Sequence, residues 1–157
     1  ARLLGIPQEA IARGLERTVW PARFEIVSRS PYFVVDGGHN PQCVTATAAA
    51  LWRCFPGKRR VLLMGVLADK AWGEMLDILL PCASQVVCVR PDSERALDAA
   101  ELCAEILRRG VPAEAAESIA AGVDRAIALA GEDGMVCSVG SLYMSGAVRE
   151  RILGKGA

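Results

Sequence analysis

The sequence predicts an α/β fold: a Rossmann-like, open, mostly parallel sheet with helices on both faces and an antiparallel hairpin at one edge. Three observations predict it. Beyond residue 36, apolar runs of strand length alternate with helix-period segments at the spacing of strand–helix–strand units. Two of those runs, VLLMGV (61–66) and QVVCV (85–89), are apolar without alternation, as strands covered by helices on both faces are, so they belong at the centre of the sheet. The opening stretch RFEIVS (23–28) does alternate, which leaves one face wet and puts a hairpin at an edge.

In chain order, Pro7 to Arg17 has a proline near its start and helical spacing of Ile11 and Leu15, a short helix that stops at Thr18-Val19. RFEIVS and YFVVD (32–36), separated by Ser30-Pro31, form the hairpin. A helix from about Asn40 to Phe55 follows, then the strand RRVLLMGV (59–66), a helix through Trp72 to Leu80 and the strand SQVVCVR (84–90). The remaining elements are a helix around Leu97 to Arg109, a short strand from Pro112, a helix from Ile119 to Ala130, a strand from Met135 to Val139 and a closing helix from Leu142 to Ile152. No repeat, low-complexity tract or linker interrupts the chain after residue 20, so the remainder is one domain.

Composition excludes several classes. Eighteen basic residues balance eighteen acidic ones, which gives no sustained positive field for nucleic acid or anionic lipid. No apolar run approaches the roughly 20 residues that span a bilayer. The six cysteines form no CxxC pair and sit inside apolar segments, so they are expected to be reduced core residues of a cytoplasmic protein. His39 is the only histidine and lies far from any paired thiols, which argues against a zinc site. No signal peptide opens the chain, and Ala1 stands where Met would, so the chain is expected to be part of something longer.

Ligands of such sheets bind beyond the carboxyl ends of the strands, where strand order reverses. The segments placed there are 36–41, 65–70, 90–93 and 140–141. DGGHNP (36–41) is the most informative. Asp36 ends a strand, Gly37 and Gly38 permit positive φ and close approach, Asn40 suits a helix N-cap and Pro41 the first helical position. The turn aims a carboxylate, an imidazole and helix-end N–H groups at one spot, an arrangement suited to anions and ribose hydroxyls; the same residues also make an ordinary strand-to-helix turn. Arg23 has a fork that holds phosphate or carboxylate, or it is a solvated surface group. Lys70 carries the same two readings. Ser141 presents a hydroxyl at a helix start, where serine is also a routine cap. The chain has no GxxxxGK[ST] loop (Gly57-Lys58 and Gly154-Lys155 lack its other residues), no GxGxxG, no HExxH and no GxSxG. It reads as a binder of charged small molecules more than a complete enzyme.

The series WPARFE (20–25), SPYFVVDGGHNP (30–41), VLLMGVLADK (61–70) and SVGSLYMSGAVR (138–149) resembles the C-terminal domain of the folylpolyglutamate synthase and dihydrofolate synthase family, within the Mur ligase group. The resemblance covers about Val19 to Arg151. It implies that residues 1–20 are the linker and tail of a missing central, N-terminal-side ATPase domain, and that 21–157 form the Mur-type C-terminal domain with a six-stranded sheet. It implies a ligase that uses ATP and Mg to phosphorylate a folate or dihydropteroate carboxylate, whose acyl phosphate glutamate's amine then attacks, with the phosphate loop and Mg ligands in the missing domain and this chain inactive alone. The resemblance further implies that Arg23 reaches the nucleotide phosphates, Asp36 holds the nucleotide at its ribose, and His39 and Ser141 position glutamate; no catalytic or metal-ligating residue falls in this chain. The sequence departs from the family pattern at Ala22 (WPGR), Gly38 (DGAHNP or DVAHNP) and Ala71 (a DKD triplet), and Asp69 and Lys70 are left outside the candidate set. The alternatives are the same domain of another Mur-type amino-acid ligase, or a non-catalytic Rossmann-like nucleotide-binding module.

Overall fold

The computed structural model describes residues 2–154. After a 3-10 turn at Arg2–Leu4 comes α1 (Gln8–Glu16), then the hairpin β1 (Glu25–Arg29) and β2 (Tyr32–Val35). The chain then alternates: α2 (Pro41–Cys54), β3 (Arg60–Met64), α3 (Trp72–Leu79), β4 (Gln85–Cys88), α4 (Ala99–Arg108), β5 (Ala113–Ala115), α5 (Ile119–Ala130), β6 (Met135–Val139) and α6 (Leu142–Leu153). The six strands form one sheet in the order β1-β2-β6-β3-β4-β5, parallel throughout except for the β1–β2 hairpin.

Helix placement follows from strand order. The crossovers through α2, α3 and α4 advance in one direction across the sheet, and right-handedness puts all three on one face. The connection through α5 runs back from the edge strand β5 to β6 and therefore takes the other face, where α6 joins it. The core divides accordingly. Val34, Leu62, Met64 and Cys137 pack towards Leu51, Leu76 and Ile106 on one side, whereas Val35, Leu63 and Val136 pack towards Val123, Ala126 and Val148 on the other. All five β3 residues are buried, and burying a Leu or Met side chain contributes about 1.5–3 kcal/mol, so β3 anchors both layers. β4 is paired on both sides but lies only one place from the β5 edge.

The expectation that all six cysteines are core residues needs correction. Cys82, Cys88, Cys103 and Cys137 are buried, but Cys54 is exposed at the end of α2 and Cys43 is only half-buried. Cys54 is the last residue of α2, at the margin of an inward stripe formed by Val44, Thr47, Ala48 and Leu51, and the helix ends there with its thiol left exposed. All six thiols are free. No helix among the described residues is long and apolar enough to cross a membrane.

Candidate functional site

β2, β6 and β3 lie side by side and end at the same edge, because Val35 pairs with Ser138 and Met64 with Val139. Their continuations are joined by backbone bonds, with Asp36 N donating to Ser138 O at 2.9 Å and Gly140 N donating to Gly38 O at 2.9 Å. Residues more than a hundred positions apart are thereby brought together. Of the four candidates, Asp36, His39 and Ser141 sit on this rim, and Arg23 is tied to it through its neighbours, since Gly37 N donates to Ala22 O at 2.8 Å.

Asp36 is 5% exposed and heavily engaged. Its Oδ2 accepts from Phe24 N at 2.8 Å, and its Oδ1 accepts from Gly38 N at 2.8 Å and from the Thr47 hydroxyl at 2.9 Å. One carboxylate thus joins the segment before β1, the turn after β2 and helix α2. Asn40 caps α2 by accepting from Cys43 N at 2.8 Å, with Pro41 at the first helical position as the sequence predicts. The positive φ expected at Gly37 and Gly38 is absent, and the space beside both is tight. A Cβ on Gly37 would lie 2.1 Å from Leu142 Cδ2, and one on Gly38 2.8 Å from Asp36 Oδ1. The left-handed glycine of the rim is Gly140, at φ +115°, where a Cβ would meet Gly65 O at 2.4 Å.

The four candidates divide between two open depressions. The larger, about 540 Å³, is lined by Arg23, Phe24, Asp36, Gln42, Cys43 and Thr47, at the amino end of α2. Arg23 is exposed there, its guanidinium 5.5 Å from the ring centroid of Trp20. The smaller, about 140 Å³, is lined by His39, Lys70, Arg95, Ser141 and Tyr143 with Leu67. His39 Nδ1 lies 2.9 Å from Gly37 O. A carbonyl only accepts, so Nδ1 is the donor of this bond, and in the neutral tautomer that fits it Nε2 is the acceptor. Ser141 is 2% exposed and caps α6, accepting from Tyr143 N at 3.2 Å.

Arg95 and Tyr143 are functional candidates that sequence reasoning missed, and Lys70 is one it set aside. Arg95 Nη1 donates to Asp69 Oδ2 at 2.8 Å, and its Nη2 lies 3.4 Å from the Tyr143 hydroxyl. Its backbone is stitched to the loop after β3: Ala68 N donates to Arg95 O, Leu97 N donates to Val66 O, and Leu67 bridges Ala96. That stitching carries residue 95 back to the rim although it lies two positions beyond the strand-end segment 90–93.

The family described as Mur ligase, glutamate ligase domain, matches residues 22–142. A probable bifunctional folylpolyglutamate synthase/dihydropteroate synthase of Haloferax volcanii is 39% identical over 145 residues, 92% of this chain and 17% of that protein. The folylpolyglutamate synthase of Lacticaseibacillus casei is 35% identical over 146 residues, 92% of this chain and 32% of that protein. The chain therefore spans no more than about a third of the length of these relatives. Among solved structures, E. coli FolC in complex with DHPP and ADP superposes with a TM-score of 0.85 at 27% identity, over 97% of this chain and 36% of that one.

Proposed function

The chain belongs to the family of Mur ligase glutamate ligase domains, and from that premise we propose that it is the nucleotide- and glutamate-binding C-terminal part of an ATP-dependent ligase that adds glutamate to folate or dihydropteroate. The observation that carries this reading is the smaller depression, which gathers two cations and an imidazole acceptor at one end of a sheet. Glutamate presents two carboxylates and an amine. The Lys70 ammonium and the donors of Arg95 that Asp69 and Tyr143 leave free suit the carboxylates, and His39 Nε2 suits the amine. Ser141 closes the rim beside His39.

The larger depression falls within the usual range of small-molecule sites, about 300–1,000 Å³, and receives the nucleotide. Arg23 takes the phosphates. Asp36 has about four lone-pair sites and three protein donors, which leaves one position on Oδ2 for a ribose hydroxyl. Both depressions are open, as half-sites are before a second domain covers them. No group of three His, Cys, Asp or Glu side chains able to hold a metal ion occurs among the described residues. On this reading the Mg ligands belong to the ATPase domain, and residues 1–20 form the connection with it. Free thiols accord with a cytoplasmic setting.

The test is Arg95→Ala in the full-length ligase. Loss of a charged hydrogen-bond partner for a carboxylate amounts to about 1.5–3 kcal/mol, so the KM for glutamate rises roughly ten- to a hundredfold while that for ATP stays put. An unchanged glutamate KM would remove Arg95 and the smaller depression from the site.

A further inference from the structure

We infer that the ion pair between Glu25 and Arg149 is a positioning device for Arg23, acting on the segment that carries it. This rests on the nucleotide reading of Arg23 and adds two residues that touch neither depression.

The segment Ala22–Phe24 has an unusual backbone. Ala22 is at φ 56° and Phe24 at φ 48°, two non-glycine residues in the left-handed region on either side of Arg23. Such residues persist only where their surroundings over-determine them, and they concentrate at ligand clamps. The surroundings here do so. Ala22 O accepts from Gly37 N, Arg23 N donates to Trp20 O, and Phe24 N donates to Asp36 Oδ2. The segment's remaining N–H, that of Ala22, donates to Glu25 Oε2 at 2.9 Å.

Glu25 is held in turn from α6. Arg149 donates through Nε to Oε2 at 2.9 Å and through Nη2 to Oε1 at 3.0 Å, a two-point fork across 124 residues of sequence. The fork fixes the plane of the carboxylate and therefore the direction in which Oε2 faces Ala22 N. Ser141 caps the helix that carries Arg149, so α6 fixes the rim at its start and the Arg23 segment two turns later. A staple that merely tied the edge strand to α6 would need no bond to Ala22 N; the third bond makes the pair a support for the loop.

The test is steady-state kinetics and thermal melting of the full-length ligase carrying Arg23→Ala, Arg149→Met, Arg149→Lys and the Arg23→Ala/Arg149→Met double substitution. Loosening a charged clamp predicts that Arg149→Met raises the KM for ATP about tenfold and leaves the KM for glutamate unchanged, with Arg149→Lys retaining part of the function. In the Arg23→Ala background, Arg149→Met adds less than about twofold to the ATP KM, because the side chain it positions is gone. Full additivity in that background overturns the proposal, as does an equal rise in both KM values or an unchanged ATP KM in Arg149→Met. Should Arg23→Ala itself leave the ATP KM unaltered, the nucleotide reading of Arg23 falls first and the proposal with it. If Arg149→Met does not fold, Arg149→Lys alone and on Arg23→Ala gives the same comparison.

Discussion

Asp36 joins three parts of the chain through one carboxylate, and this dual character governs how it should be tested. Replacement by Ala leaves Phe24 N, Gly38 N and the Thr47 hydroxyl without their acceptor, and each buried unsatisfied group costs about 1–3 kcal/mol. Asp36→Ala should therefore lower folding stability as well as ATP use, and urea unfolding beside kinetics separates the two. Gly140 allows a cleaner test of packing. With φ at +115° and Gly65 O only 2.4 Å from a would-be Cβ, Gly140→Ala should destabilise by about 2–3 kcal/mol and lower the melting temperature by roughly 5–10 °C. Among the thiols, Cys54 is exposed while burial pushes Cys88 and Cys137 well up. A thiol reagent should label Cys54 first in the native protein and reach Cys82, Cys88, Cys103 and Cys137 only on unfolding; rapid native labelling of Cys137 would contradict the packing of β6.

At the scale of elements, the edge hairpin is secured partly by electrostatics. The hydrogen bond from Arg149, ahead of the opposing effect of burial, holds the Glu25 carboxyl below the ordinary carboxylate range. Its contribution to stability is full above the unfolded pKa and is lost as pH falls through the lower folded value. Unfolding free energy should therefore drop on acidification with a component that Glu25→Gln abolishes, measurable by urea titration between neutral pH and about pH 3. Much of this level was legible in the sequence. Unalternating runs announced β3 and β4, alternation announced the edge hairpin, and Asn40-Pro41 announced the start of α2, because each is a local consequence of burial or of chain geometry. Other features depend on pairings that no local pattern encodes. Gly37 and Gly38 sit in tight space beside Leu142, Ala22 and Asp36 and not at positive φ. Arg95 reaches the rim only because its backbone is stitched to the loop after β3. The division of four candidates between two depressions likewise follows from the insertion of β6 between β2 and β3.

At the scale of the molecule, the two depressions lie along one edge of the sheet, and on our reading each serves a different substrate. Helix α1 has no buried residue, and Val19 and Trp20 are 85% and 65% exposed, so the segment leading to the site presents apolar surface, which on our reading the ATPase domain covers. On the half-enzyme reading the isolated chain should show no folate- and glutamate-dependent ATP hydrolysis; turnover by a contaminant-free sample would refute it. The most direct test of the account is a kinetic crossover in the full-length ligase, comparing His39→Ala with Asp36→Asn. The account predicts that His39→Ala raises the KM for glutamate about ten- to a hundredfold with the ATP KM unchanged, and that Asp36→Asn raises the ATP KM with the glutamate KM unchanged. Equal effects of either substitution on both KM values, or no effect on either, would contradict it.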